Sequence, residues 1–130
     1  AGIAHASRAI PEATYIAVNT DSTAALAAAS RRAGVATFVL MSSVRAQSGP
    51  AAARVLSEAD PPTPSDAYGR SKLRAEAAMA EELAGSATRA VALRPVLVHG
   101  PGVKGNRCRC RSAHSPTGAR WSASPISPRR

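Results

Sequence analysis

The stretch "VATFVL", Val35 to Leu40, is an almost continuous apolar run with no polar alternation. Such a run reads as a strand of a parallel sheet covered on both faces. A parallel partner needs a long crossover, usually a helix, and the flanking sequence supplies candidates. Ahead of the run, "PEATYIAVNTDSTAALAAASRRA" from Pro11 to Ala33 is Ala-rich, opens on a proline suited to a first turn, and places Arg31 and Arg32 before Gly34. That pattern predicts one long helix, disturbed around Asn19 to Ser22. Behind the run, Pro50, Pro61, Pro62 and Pro64 mark a loop. A second helix is expected from about Asp66 to Ala84, capped by Ser65 or Asp66 and stopped at Gly85. "TRAVALR", Thr88 to Arg94, then reads as a second strand ended by Pro95. The order helix, strand, helix, strand predicts an α/β fold with a parallel sheet.

Charge divides the chain. The formal net charge is +9, but residues 1–82 hold eight Lys/Arg against eight Asp/Glu, whereas residues 83–130 hold nine basic residues and no acid. Six of those nine are Arg in "RCRCRSAHSPTGARWSASPISPRR", residues 107–130, where aliphatic residues nearly vanish and no period survives. That segment is expected to be a disordered basic tail. Its attraction for nucleic acid would be unspecific, and with Trp121 as its sole aromatic it is poor material for base stacking. The break in character at Asn106 also suggests a shifted reading frame. Cys108 and Cys110, with His114, fall short of the four paired ligands of structural zinc, so no metal site is expected. Two cysteines without an export signal give no disulfide framework, and a reducing cytoplasm is the default. No apolar run is long enough for a membrane span.

The chemistry-bearing pair is Tyr68 and Lys72 in "SDAYGRSKLRAEAAMAEELAG". At i and i+4 they share one helix face. An ammonium beside a phenol favours the phenolate, which makes Tyr a usable general acid and base. Taken alone, the spacing is a weak signal, common on the solvated surfaces of helices. The neighbours weigh against that: the first strand runs into Ser42-Ser43 and the second into Leu93-Arg94-Pro95. Ligands of open α/β sheets bind at the carboxyl ends of strands. A serine there can hold a substrate oxygen against Tyr68, while local turn hydrogen bonds account equally well for one of the two serines.

"AGIAHAS", "VNTDSTAALAAASRRAGVATFVLMSS", "DAYGRSKLRAEA" and "LRPVLVHGPG" resemble, in order and spacing, the middle of the extended short-chain dehydrogenases/reductases. The closest group is the NAD-dependent epimerase/dehydratase family that includes the UDP-glucose 4-epimerases. The resemblance implies a partial Rossmann domain over residues 1–106, part of a doubly wound parallel sheet. It implies NAD as cofactor, a nucleotide-sugar-like substrate, and a homodimer in a full-length parent. Tyr68 and Lys72 match the Tyr-x-x-x-Lys that exchanges a proton with substrate and binds the nicotinamide ribose. Ser43 best matches the catalytic Ser/Thr, with Ser42 as the second choice and otherwise a cofactor-side residue. Asn19 matches the Asn of the long helix near the cofactor, Ala1 and Gly2 the small residues closing a strand beside it, and Arg94 and Pro95 the loop along the nicotinamide. His99 in that loop is not expected to be catalytic.

No G-x-x-G-x-x-G occurs, and "GPGVKG" follows the wrong strand to replace it. The acidic residue that would bind the adenine ribose is missing too, which leaves NADP open. With Ala1 in first place, and the C-terminal sugar-binding region replaced by the tail, the chain reads as an internal fragment. Two functional expectations follow: an epimerase, dehydratase or reductase chemistry inherited from the family, or a truncated product without activity. A basic nucleic-acid-binding protein is a distant third, resting on the tail alone.

Overall fold

The computed structural model describes residues 2–3, 10–52 and 54–96 of the chain. The basic tail, Cys108, Cys110, His114, His99 and Ala1 lie outside the described residues.

The first helical stretch has three parts: α1 (Glu12–Tyr15), a π-helical segment (Ile16–Asp21) and α2 (Ser22–Arg32). Pro11 stands at the N-cap, where a missing N–H costs nothing. The disturbance expected at Asn19–Ser22 is the π segment, displaced a few residues toward the N-terminus. A π turn loosens the carbonyl ladder, and side chains take up what it frees: Thr23 Oγ1 donates to the Asn19 carbonyl (2.7 Å) and Ser22 Oγ to that of Ala17 (3.3 Å). α2 ends in a Schellman arrangement. Gly34, at φ +67°, donates to the Arg31 carbonyl and Val35 donates to that of Ser30.

Two strands follow, β1 (Thr37–Met41) and β2 (Arg89–Leu93), paired in parallel from Thr37↔Arg89 to Met41↔Leu93. The ladder continues past the strands, with Ser42 N–H on the Leu93 carbonyl (2.8 Å) and Val44 N–H on the Pro95 carbonyl (3.1 Å). The crossover holds a 3₁₀ turn (Val44–Ala46), a long loop and α3 (Ala67–Leu83). Asp66 caps α3, its carboxylate accepting the Gly69 N–H at 2.6 Å, and Arg45 pairs with the same carboxylate. At the far end Ala84 and Gly85 form a turn closed by Ser86 N–H on the Leu83 carbonyl, with Gly85 at φ +67°.

α2 and α3 lie side by side on one face of the sheet. Ala27 of α2, Leu40 of β1, and Ala75, Met79 and Leu83 of α3 form the core, with Phe38 packed against it. Each large side chain in it contributes about 1.5–3 kcal/mol by leaving water. The other face differs from the expectation of a doubly covered strand: Val39, Met41 and Leu93 are 51%, 56% and 46% exposed. An apolar run therefore marks strand β1 correctly but overstates how much of it the described helices cover. Among the described residues no helix is long and apolar enough to cross a membrane.

The first turn of α3 is locked against the 3₁₀ turn. A Cβ placed on Gly69 would lie 2.3 Å from the Arg45 carbonyl oxygen and 3.1 Å from Pro64 Cβ. Ala would improve helix propensity by about 1 kcal/mol, but forcing a methyl into packed backbone costs about 1–3 kcal/mol. Gly69→Ala is accordingly expected to lower the stability of the chain in urea denaturation, and a rise would contradict this packing.

Candidate active site

α3 carries Tyr68, Lys72 and Glu76 at successive four-residue steps, so all three share one helix stripe, from which Lys72 and Glu76 reach the carboxyl end of the sheet. Lys72 is buried, and its ammonium donates to the Met41 carbonyl at 3.0 Å, the last residue of β1 before Ser42-Ser43. A Cβ on Gly2 would stand 3.4 Å from Lys72 Nζ and 3.1 Å from Asn19 Oδ1. A small residue at position 2 therefore lets the N-terminal backbone come close to both. Burial pushes the Lys72 ammonium below its ordinary value, and the Glu76 carboxylate partly opposes that shift.

Asn19, 2% exposed, joins the π segment to two other parts of the chain. Its carbonyl accepts the Ile3 N–H (2.8 Å), while its amide donates to the Ile3 carbonyl (3.1 Å) and to Ser71 Oγ (3.0 Å). The pair of bonds to Ile3 mimics a strand neighbour and fixes the segment that holds Gly2. Ser71 Oγ donates to the Tyr68 carbonyl (2.7 Å), and Thr20 Oγ1 donates to the Ser71 carbonyl (3.0 Å). The Tyr68 ring meets buried Tyr15 at 6.0 Å between centroids and a 60° tilt, a favourable aromatic geometry. Three residues earlier in α1, Glu12 receives both Arg70 Nε and Nη2 (3.0 and 2.6 Å), which holds its carboxyl below the usual range.

The two serines part company. Ser42 Oγ donates to Glu76, whereas Ser43 is extended (φ −160°, ψ 151°), caps the 3₁₀ turn and accepts the Arg45 N–H (3.2 Å). Arg94 grips Glu76 through Nε (2.9 Å) and Nη2, and its Nη1 donates to Gln47. The Glu76 carboxylate raises the Arg94 value further above its already high norm. Gln47 is buried and also holds the loop, donating to the Asp60 carbonyl (2.7 Å) while its own carbonyl accepts the Thr63 N–H (2.9 Å). The structure thus brings Gly2, Asn19 and Lys72 together, and Ser42 and Arg94 together through Glu76. Pro95 touches the serine turn through its carbonyl. Glu76 and Tyr15 lie on legible helix positions, one a further turn along the Tyr68–Lys72 stripe. Gln47 and Ser71 had no sequence signal, since each acts through partners far along the chain. Among the described residues no group of three or more His, Cys, Asp or Glu could hold a metal ion.

The model of the NAD dependent epimerase/dehydratase family matches residues 1–114. The chain belongs to that family. Within it, UDP-glucose 4-epimerase of Vibrio cholerae is 35% identical over 97 residues, 74% of this chain and 30% of that protein. The chain therefore spans about 30% of the length of this curated relative. The solved structure described as MoeE5 in complex with UDP-glucose and NAD is similar with a TM-score of 0.57 and 36% identity, over 62% of this chain and 27% of that one. The fold is thus the partial Rossmann arrangement that the family resemblance implies, and its parallel strand pair and crossover helix are those expected from the alternation of helices and strands.

The depressed Lys72 value has a pH consequence. Between it and 10.5 the unfolded chain binds a proton that the folded chain does not, so stability rises with pH across that window. The urea midpoint of the wild type, relative to Lys72→Met, should move upward as pH climbs toward 10.5. A flat or falling difference would contradict the burial of a charged lysine.

Proposed function

We propose that the chain carries the proton-transfer half of an NAD-dependent epimerase/dehydratase site acting on a nucleotide sugar. The observation that supports this most directly is the seating of the Lys72 ammonium on the Met41 carbonyl, with Tyr68 one turn before it and Ser42-Ser43 next in the chain. The residues fit the cofactor class. An ammonium has three donors, Met41 takes one, and Gly2 sets no side chain against it, so its remaining donors suit hydroxyls such as those of a ribose. Bound NAD supplies the hydride acceptor and donor. Gly2, Asn19, Lys72, Arg94 and Pro95 are assigned to holding it, Asn19 by fixing the Gly2–Ile3 backbone and Arg94 and Pro95 by shaping the wall at the end of β2.

Tyr68 takes the proton from a sugar hydroxyl as the carbon bearing it is oxidised, and returns it when the ketone is reduced. Ser43 donates a hydrogen bond to the same sugar oxygen, steadying the charge that develops there. Lys72 orients the cofactor side of the site and supplies positive charge next to the phenol. The Rossmann half described here, together with the 35–36% identity to a UDP-glucose 4-epimerase and to a UDP-glucose- and NAD-bound structure, favours a uridine-diphosphate sugar as substrate.

Calorimetric titration of the chain with NAD, followed by UDP-glucose, tests the reading. Saturable NAD binding at about 1 mM or tighter, weakened in Lys72→Met, is expected. Any turnover should fall by about 10²–10⁴-fold in Tyr68→Phe, the usual worth of a general acid–base group. Absence of saturable NAD binding would contradict the proposal and favour a chain without activity.

A further inference from the structure

The mechanism gives no part to Glu76 or Gln47, yet with Ser42 and Arg94 they form one part-buried polar network that joins α3, the ends of both strands and the loop after β1. Resting on the site reading above, we propose that Glu76 is a positioning residue whose carboxylate accepts a hydrogen bond from the Ser42 hydroxyl, committing Ser42 to α3 and leaving Ser43 as the hydroxyl that meets substrate.

The pleat carries the first step. Side chains alternate along a strand, and the ladder continues through Ser42 N–H on Leu93 and Val44 N–H on Pro95 with Ser43 fully extended. Leu40 enters the core beside Ala75 and Met79, so Ser42, two residues on, faces α3 and Ser43 faces away from it. Without an acceptor on α3, the Ser42 hydroxyl would have no reason to prefer that side over a turn bond of its own.

Charge carries the second. A carboxylate beneath the strand ends would be costly if unpaired, and Arg94 meets both its oxygens through Nε and Nη2. Arg94 is in turn fixed by Gln47, which holds the Ser57–Thr63 loop through the Ser57 and Asp60 carbonyls and the Thr63 N–H. The carboxylate therefore has a single arrangement, one oxygen shared between Ser42 and Arg94 and the other given to Arg94. The serine turn inherits that arrangement. Lys72, one turn back, stays on the Met41 carbonyl immediately before the turn.

The test begins on the ligand-free chain by proton NMR at low temperature. Expected in the wild type is a Ser42 hydroxyl proton protected from exchange, with nuclear Overhauser contacts to the Glu76 side chain and no counterpart on Ser43. In Glu76→Gln, with the circular dichroism spectrum unchanged, Ser42 hydroxyl exchange should rise by about tenfold or more, the worth of a hydrogen bond to a charged group. The large N–H to Hα coupling of extended Ser43 should shrink as the turn samples other states. A structural ion pair alone would alter stability and leave both signals in place. A wild-type Ser42 hydroxyl that exchanges as fast as that of Ser43 overturns the proposal whether or not the variant folds, as do unchanged Ser42 and Ser43 signals in a folded Glu76→Gln. A second arm adds NAD and then UDP-glucose. If the ligand-free signals are as expected and neither ligand binds, the functional reading fails and the positioning of the serines stands.

Discussion

Placing a lysine ammonium beneath the end of a strand is the constraint around which the rest of the structure is arranged. A buried cation needs an acceptor and a compensating field. Lys72 finds the first in the Met41 carbonyl and part of the second in Glu76, one turn further along the same helix. Glu76 then needs its own cation, which arrives as Arg94 from the end of β2. Arg94 needs a second acceptor, which Gln47 provides while fastening the loop. Each partner is drawn from a different element, so satisfying one charge forces helix, strands and loop into one relative arrangement.

The same logic explains the modest apolar core. Leu40, Met79 and Leu83 with two alanines and Phe38 hold α2 and α3 to the sheet, while much of the buried interior near the strand ends is polar: Asn19, Ser42, Ser43, Gln47, Ser71 and Lys72. Small residues let backbones approach where side chains would intrude, as at Gly69 under the Arg45 carbonyl and at Gly2 beside Lys72. The π segment belongs to this design. It places Asn19 and Thr20 together against Ser71 on α3, and gives Asn19 the reach to hold both main-chain groups of Ile3.

Much of this is legible in the sequence. Helix periods, the proline-rich loop, Gly34 and Gly85 as stops and the apolar run marked every major element to within about two residues, because each is governed by local chemistry. Asp66 was one of two cap candidates and is the cap. The Tyr68–Lys72 pair was visible from its spacing, and the family resemblance supplied Asn19, Gly2 and Arg94 as neighbours of the site. The different fates of Ser42 and Ser43 were not visible, because they depend on the pleat of β1 and on an acceptor 34 positions away. Gln47 was silent for the same reason: its role exists only once Arg94 and the loop have been folded onto it. The open face of β1 marks the opposite error, since an apolar run records what a strand is suited to bury and not what covers it.

The central claim is that the strand ends, the Tyr68–Lys72 stripe and the Gly2–Asn19 corner form one NAD-facing surface. Backbone chemical-shift mapping of the isotopically labelled chain during NAD addition addresses it directly. The account predicts saturable shifts concentrated at Gly2, at Met41 to Ser43, at Tyr68 to Lys72 and at Arg94. Shifts confined to residues 107–130, or spread without saturation over the surface, would contradict it.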